Sequence, residues 1–310
     1  KTMKLYLTGH GGFVGQALLK SIAEGKSDWN GVELVGTKGI DILDFDALTR
    51  DIEISDPDAV IHLAALSNVP DAIANPISTA QVNVLGTINV VEAVARQDGR
   101  CRLIHVGSSD VYGLIAPDEL PISEDKPLSP RNPYAASKAA AEMFVLERVR
   151  RTGMPAVCTR PFNHTGLGQT QSFVFPSIAN QLASIALGLQ SEIVLGDIDI
   201  TRDFLDVDDV LAAYRTLIRR GADGEVYNIC SGREFKIRDG IDIMAAALGI
   251  RPEIRSDASL MRHSEQRRVC GDNSKIRHLG WEPLIPIEDT LRRLALYTLK
   301  QKSKNEEHAR

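Results

Sequence analysis

Tyr134 and Lys138 lie four positions apart in the segment NPYAASKAA. A four-residue spacing puts two side chains on the same face of a helix. A free phenol has a pKa of about 10 and is a poor acid–base catalyst at neutral pH. A neighbouring ammonium, together with a bound cofactor, would stabilise the phenolate and lower the pKa of Tyr134, which would suit it to proton transfer. The same spacing also arises by chance in many helices, so the pair needs support from its surroundings.

Ser108 offers that support, since it follows the strand-like segment CRLIHVG. Doubly wound folds bind their ligands at the carboxyl ends of their parallel strands. At that position Ser108 would hydrogen-bond a substrate carbonyl or hydroxyl opposite Tyr134. The alternative is that Ser108 and Ser109 form a turn or cap a helix.

The segment TGHGGFVG carries four glycines between a strand-like run and an apolar helical run. Such a turn presents free N–H groups and the positive end of a helix to an anion. Gly9 permits the tight turn, Gly12 the close approach of a pyrophosphate, and Gly15 close packing of the helix. The spacing GxxGxxG also fits a plain turn, but the strand before it and the helix after it favour a dinucleotide ligand.

The end of the second strand indicates which dinucleotide binds. NAD enzymes of this architecture place an acid there to bind the ribose 2′-OH. Here Val35 is followed by Gly36, Thr37 and Lys38. A lysine can pair with a 2′-phosphate, which favours NADP, although a solvated loop lysine is the simpler interpretation. Asp41 is better placed for the adenine edge than for the ribose.

The candidate catalytic and cofactor-binding residues lie in a part of the chain, up to about residue 162, in which strand and helix patterns alternate regularly. Near-continuous Val, Ile and Leu strands between helices predict a parallel sheet covered on both faces. We expect an α/β fold with a doubly wound, Rossmann-type parallel sheet and a smaller C-terminal α/β lobe. Residues 1–162, with return segments near 190–230, form the predicted dinucleotide-binding domain, and residues 163–310 mainly form the substrate lobe.

Composition excludes several classes of function. A formal net charge of −5 gives no general attraction to nucleic acid or to an anionic membrane. The longest apolar runs fall short of the ~20 residues that span a bilayer. Four cysteines without CxxC spacing predict reduced core thiols and a cytoplasmic protein. His62 and His105 lie in apolar strands and are expected to be satisfied core residues, not metal ligands.

Several motifs together carry a family resemblance. TGHGGFVG, HLAA, SSDVYG and YAASK, at these distances, resemble the extended short-chain dehydrogenase/reductase superfamily over essentially the whole chain. RPFNHTGLGQTQSFVFPS, GDIDITRDFLDVDDV, VYNICSG and RHSEQRRVCGD are similar to its GDP-sugar branch. The resemblance implies reduction of the C4 ketone of GDP-4-keto-6-deoxy-D-mannose to GDP-D-rhamnose. It implies NADPH as the cofactor, with NADH as an alternative.

The resemblance assigns roles by matching position. Ser108, Tyr134 and Lys138 would be the catalytic residues. Cofactor contacts would lie on the glycine-rich turn, after the second strand, in HLAA and on the catalytic helix, namely Gly9, Gly12, Phe13, Val14, Gly15, Lys38, Asp41, Ile42, Leu63, Ala64, Ala65, Tyr134 and Lys138. The nucleotide sugar would be held by Ser108, Asp110, Asn163, Arg202, Arg262 and Glu265.

Three alternatives to this reductase remain open at this point. GDP-mannose 4,6-dehydratases share nearly all these segments but need a base at C5, for which that family supplies a glutamate. Here Asp110 stands at that position, and its shorter side chain favours the reductase. Ser109 stands where a glycine is expected in the reductases. A reductase forming GDP-6-deoxytalose and a dinucleotide-binding module without catalysis are the further alternatives.

The helix around Tyr134 is rich in alanine, and small residues let helices approach closely. The resemblance implies that this helix and the one predicted from Thr79 to Arg96 build a four-helix dimer interface. We therefore expect a homodimer.

Overall fold

The computed structural model describes residues 2–260 and 266–308. Its strands are β1 Met3–Thr8, β2 Val32–Val35, β3 Ala59–His62, β4 Arg102–Val106, β5 Ala156–Pro161, β6 Asn163–Thr165, β7 Glu192–Leu195, β8 Thr201–Arg202, β9 Phe204–Asp206, β10 Val226–Ile229, β11 Phe235–Lys236 and β12 Glu253–Ser256. Its α-helices are α1 Phe13–Ala23, α2 Phe45–Ser55, α3 Val69–Ala74, α4 Pro76–Ala80, α5 Gly86–Ala95, α6 Pro133–Thr152, α7 Val174–Ala186, α8 Val207–Arg220, α9 Ile237–Leu248, α10 Ser274–Arg277 and α11 Ile287–His308. A π-helical turn, Gln81–Leu85, joins α4 to α5.

Six parallel strands form the central sheet in the order β2-β1-β3-β4-β5-β10. Side chains of successive strand residues face opposite sides, so the two faces carry two cores. One core joins the sheet to α1 and α8 through Leu18 and Leu217. The other joins it to α2, α5 and α6 through Ile52, Val90 and Val145. The predicted doubly wound sheet is confirmed.

The direction of the connections reverses between β1 and β3, which are neighbours in the sheet. Open α/β sheets bind ligands in the crevice at such a switch point. The glycine-rich turn follows β1 there, and HLAA begins with the last residue of β3. The topology therefore brings these two segments to one edge of the sheet.

A third core lies between α7, α9 and α11 and includes the ring cluster of Phe175, Phe204 and Phe235. Three small sheets accompany it, β6–β9, β7–β12 and β8–β11. α8 and β10 return to the central sheet, whereas β7 pairs with β12. A domain boundary at residues 162/163 stays a prediction.

Local sequence fixes both ends of α6, the helix that carries Tyr134 and Lys138. The Asn132 side chain accepts a hydrogen bond from the Ala135 N–H at 2.8 Å, and Pro133 occupies the first turn. Both are preferred at helix N-termini. Gly153 ends the helix in the left-handed conformation, with φ of 73°.

All four cysteines are buried free thiols, as predicted. His62 is also satisfied, because its ring nitrogens lie 2.8 Å from Thr8 Oγ1 and 2.9 Å from Thr87 Oγ1. The prediction is wrong for His105, whose two ring nitrogens are buried without a partner among the described residues. Burial, followed by the charges of Lys138 and His62, holds the pKa of His105 well below its usual range, so the ring is neutral.

Two kinds of feature are absent from the described ranges. No helix there is both long and apolar enough to cross a membrane. No group of three or more His, Cys, Asp or Glu side chains in those ranges is arranged to hold a metal ion.

Candidate active site

Ser108, Tyr134 and Lys138 meet at the carboxyl end of β4. Ser108 follows β4 by two residues and is 8% exposed. Tyr134, in the first turn of α6, hydrogen-bonds the Ser108 side chain. Lys138 is 5% exposed, and its Nζ donates to the Val106 carbonyl at 2.7 Å. The three residues predicted from separate motifs thus form one cluster.

The pKa of Tyr134 is raised to about 12. Burial is the largest cause; the hydrogen bond with Ser108 lowers the pKa, and the charge of Asp110 raises it. Burial outweighs the other causes here, and the lowering predicted for Tyr134 beside Lys138 and a bound cofactor stays a prediction. Tyr134 is therefore a protonated phenol at neutral pH, which is the form that can donate a proton.

Burial lowers the pKa of Lys138 to about 8. The side chain is thus mainly an ammonium at neutral pH and loses its charge in the mildly alkaline range. An ammonium has three N–H donors. One donates to Val106, and within the described part of the chain the other two remain for a ligand.

Asn83, which none of the sequence motifs includes, ties the catalytic helix to the loop after β3. Its Oδ1 accepts from the Leu66 N–H at 2.8 Å, and its Nδ2 donates to the Leu66 carbonyl at 3.0 Å. The Nδ2 also donates to Ser137 Oγ at 2.9 Å, and Ser137 Oγ donates to the Tyr134 carbonyl at 2.7 Å. The signal was a polar residue within the apolar run QVNVLG. A buried amide needs such partners.

The glycine-rich turn forms a close-packed cradle. Gly9 has a φ of 77°, and a Cβ there would lie 2.7 Å from the Ala64 nitrogen. A Cβ on Gly15 would lie 2.4 Å from the Gly9 carbonyl oxygen. A Cβ on Gly11 would meet no described atom within 4 Å, so the backbone there is open. Gly9 and Gly15 are required for the turn itself, and the open backbone suits a pyrophosphate.

A cavity of about 300 Å³ adjoins this turn. Five predicted cofactor residues line it: Gly9, Asp41, Ile42, Ala64 and Ala65. The other lining residues are Tyr6, Leu7, Thr8, His10, Gly11, Thr37, Gly39, Ile40, Leu48, Leu66 and Val82. Lys38 lies between two lining residues, and Phe13, Val14 and Gly15 begin α1 beside the turn. The cavity has the position and size for the adenosine half of a dinucleotide.

The carboxylates near the end of β2 are engaged by neighbouring groups. Asp51, on α2, accepts hydrogen bonds from the Tyr6 hydroxyl at 2.8 Å and from the Thr37 N–H at 2.8 Å. It also accepts from the Thr37 hydroxyl at 2.7 Å. Asp41 accepts from the Leu43 N–H at 2.9 Å, which closes a turn. In residues 2–260 and 266–308 no ion pair neutralises Lys38, so this end of the cavity suits an additional phosphate.

The predicted substrate residues lie on the small sheets. Asn163 is exposed on β6 and pairs in register with Phe204 of β9. Arg202, two residues before Phe204, is half-buried, and its guanidinium donates to the Thr201 carbonyl at 2.8 Å. Asn163 and Arg202 therefore lie in one region. Arg262 and Glu265 lie outside the described residues.

Comparisons with known proteins agree with this architecture. The family described as GDP-mannose 4,6 dehydratase matches residues 32–294. GDP-6-deoxy-D-mannose reductase from Pseudomonas aeruginosa is 43% identical over 293 residues, or 94% of this chain and 95% of the relative. GDP-mannose 4,6 dehydratase 1 from Arabidopsis thaliana is 30% identical over 255 residues, or 80% of this chain and 70% of the relative.

A solved structure of RMD from Pseudomonas aeruginosa complexed with NADPH has a TM-score of 0.90 and 41% identity. The match covers 97% of this chain and 100% of that chain. Both the sequence and the fold are thus shared over nearly the full length. The chain belongs to the GDP-mannose 4,6-dehydratase family, within the extended short-chain dehydrogenases/reductases.

Proposed function

We propose that this protein reduces the C4 ketone of GDP-4-keto-6-deoxy-D-mannose to GDP-D-rhamnose with NADPH. The observation that carries the proposal is the 43% identity, over almost the whole of both chains, to a GDP-6-deoxy-D-mannose reductase. The solved structure of RMD from Pseudomonas aeruginosa, which matches this fold with a TM-score of 0.90, contains NADPH and therefore supports NADPH as the cofactor here. When bound, NADPH supplies the hydride for the carbonyl carbon.

Tyr134 donates the proton to the C4 oxygen. With a pKa of about 12, the phenol stays protonated until an alkoxide forms beside it. Ser108 donates a hydrogen bond to the same oxygen and stabilises the growing negative charge. Lys138 holds the nicotinamide ribose and keeps a positive charge near the phenol, which eases formation of the phenolate.

Asn163, Arg202, Arg262 and Glu265 hold the nucleotide part of the substrate. An arginine guanidinium binds pyrophosphate through planar paired donors, and a carboxylate accepts from ribose hydroxyls. Arg202 and Asn163 lie within one small region of the lobe, which supports a shared ligand.

A dehydratase is the competing activity, since the family that matches residues 32–294 is described by that reaction. It would require a base for the C5 proton near Tyr134. Asp110 is the candidate for this base. Its charge raises the pKa of Tyr134, and its side chain is exposed. An aspartate is one methylene shorter than glutamate, and a general base must come within hydrogen-bond distance of its proton.

The two activities separate in one experiment. The purified protein is incubated with GDP-mannose, and separately with GDP-4-keto-6-deoxy-D-mannose and NADPH, and the products are identified by NMR. We expect GDP-D-rhamnose from the ketone and no change in GDP-mannose. Consumption of GDP-mannose without added NADPH would instead identify a dehydratase, and GDP-6-deoxytalose would identify the opposite stereochemistry at C4.

We also propose a homodimer built by α4, α5 and α6. These helices, α3 and the π-helical turn pack together. They expose five large apolar side chains, here called the apolar face: Ile73 on α3, Ile77 on α4, Leu85 in the π-helical turn, and Met143 and Phe144 on α6. A face of this kind on a monomer typically marks a protein interface, and small residues on α6 allow a second pair of helices to approach.

A cytoplasmic location is a further part of the proposal. Four buried free thiols fit a reducing compartment.

A further inference from the structure

The cavity beside the glycine-rich turn contains a residue that the family resemblance did not assign. His10 lies in the turn itself, between Gly9 and Gly11, and is half-buried. The titratable residues that line the cavity are Tyr6, His10 and Asp41. Tyr6 donates to Asp51, and Asp41 accepts from a backbone N–H, which leaves the His10 ring as the lining group that can add positive charge.

His10 lines the cavity, and Lys38 lies in the chain between the lining residues Thr37 and Gly39. His10 comes from the turn after β1, and Lys38 from the loop after β2. Burial lowers the pKa of His10, and the charge of Lys38 lowers it further. An anion that binds both groups would favour the protonated imidazole and offset the effect of Lys38.

The adenine ribose of a dinucleotide lies at the end of the second strand, where an acid would accept its 2′-OH. Here the carboxylate of Asp51 is already bonded to Tyr6 and Thr37, and that of Asp41 accepts from the Leu43 N–H. The anion that fits beside Lys38 and His10 is therefore the 2′-phosphate of the cofactor.

We propose that His10, together with Lys38, binds the 2′-phosphate of NADPH and makes the preference for NADPH over NADH depend on pH. The inference rests on the proposed use of NADPH and adds a specificity residue to it. The phosphate raises the proton affinity of the imidazole, so binding takes up a proton in the neutral range. Affinity for the phosphorylated nucleotide then falls as pH rises and the imidazolium is lost.

The test uses 2′,5′-ADP and 5′-AMP, which differ in the 2′-phosphate, together with NADPH and NADH. Calorimetry measures the dissociation constants at pH 6.5 and pH 8.5 for the wild-type protein, His10→Gln and Lys38→Gln. Lys20→Gln is the matched control, since Lys20 is an exposed cation at the far end of α1.

His10→Gln should weaken 2′,5′-ADP and NADPH roughly tenfold at pH 6.5, the usual effect of losing one charge-assisted hydrogen bond. At pH 8.5, where the imidazole is neutral, the same variant should change the two dissociation constants less than about twofold. Lys38→Gln should weaken both ligands at either pH, and 5′-AMP and NADH should change little throughout. Lys20→Gln should behave as the wild type.

An unchanged ratio of NADPH to NADH affinity in His10→Gln at pH 6.5 would overturn the inference while leaving the proposed reductase intact. Equal losses at both pH values would also overturn it, because the role would then not depend on the proton. A wild-type protein that binds neither NADPH nor 2′,5′-ADP would reject the proposed function itself.

Discussion

At the residue scale, the Tyr134 hydroxyl is the group whose removal separates binding from chemistry. Tyr134→Phe keeps the ring and its packing but removes the proton donor and the hydrogen bond with Ser108. We expect turnover of the 4-keto sugar to fall at least ~100-fold, the usual share of general acid catalysis. The dissociation constant of NADPH should change little. Stopped-flow kinetics and fluorescence titration measure the two quantities, and an unaltered turnover would remove Tyr134 from the mechanism.

The lowered pKa of Lys138 predicts that activity is lost at alkaline pH. Burial lowers its pKa to about 8, so its charge is complete at lower pH and is lost as the pH rises through that value. The pKa of Tyr134, at about 12, lies too high to contribute in this range. If the ammonium form is active, turnover at pH 9 should be about one tenth of its plateau.

The matched variant for this pH profile is Lys138→Arg, which keeps the positive charge to much higher pH. Its activity, although reduced by the different shape, should show no decline up to pH 10. Lys138→Met should be slow at every pH. A wild-type profile that stays flat to pH 10 contradicts the assignment.

At the element scale, α6 is held to the sheet by a buried ion pair. Arg160 on β5 donates to both carboxylate oxygens of Glu142, at 3.0 and 2.6 Å, and also to the Tyr112 hydroxyl at 2.9 Å. Glu142 lies one turn after Lys138 and is 2% exposed. The pair therefore fixes the position of the catalytic helix relative to the strand ends.

Glu142→Gln should destabilise the protein by about 3–5 kcal/mol, because it leaves the Arg160 charge buried and unpaired. Glu147→Gln is the control on the same helix, since Glu147 forms an exposed ion pair with Arg151. Exposed pairs contribute little, so that variant should unfold at the wild-type urea concentration. Equal urea midpoints for the two variants would contradict the structural role of the buried pair.

The strand–turn–helix formed by β1 and α1 could be predicted from the sequence because its constraints are local. Gly9 and Gly15 are required by close backbone contacts within the turn and with the loop after β3, and the apolar periods on either side are strong. The π-helical turn and the role of Asn83 could not be predicted from the sequence. The hydrogen-bond partners of Asn83, Leu66 and Ser137, are distant from it in sequence. Two-residue strands such as β8 carry no periodicity and are defined only by their partner strand.

The pKa values show the same division. The four-residue spacing predicted correctly that Tyr134 and Lys138 share one helix, but their protonation depends mainly on burial. The spacing of two residues in the sequence does not show how deeply their side chains are buried. The catalytic cluster was therefore predictable in its membership and not in its electrostatics.

At the scale of the whole molecule, the proposed homodimer can be tested at the apolar face. Phe144 is 45% exposed on α6 and Ile77 is 76% exposed on α4. If a second copy covers this face, a charge placed there would be buried without a partner, which is strongly unfavourable. Phe144→Glu should therefore give a monomer, or shift the dimer dissociation constant by at least about 100-fold.

Ile54→Glu provides the control for this last experiment, because Ile54 is 78% exposed and lies on α2, which carries none of the residues of the apolar face. Sedimentation velocity over a range of protein concentrations measures the dissociation constant of each variant. The wild-type protein and Ile54→Glu should sediment as dimers, whereas Phe144→Glu should sediment as a monomer with an unchanged circular dichroism spectrum. A wild-type protein that stays monomeric at high concentration would exclude the dimer, and a dimeric Phe144→Glu would place the interface elsewhere. Because α6 also carries Tyr134 and Lys138, the monomeric variant should lose activity if dimerisation holds the catalytic helix in place.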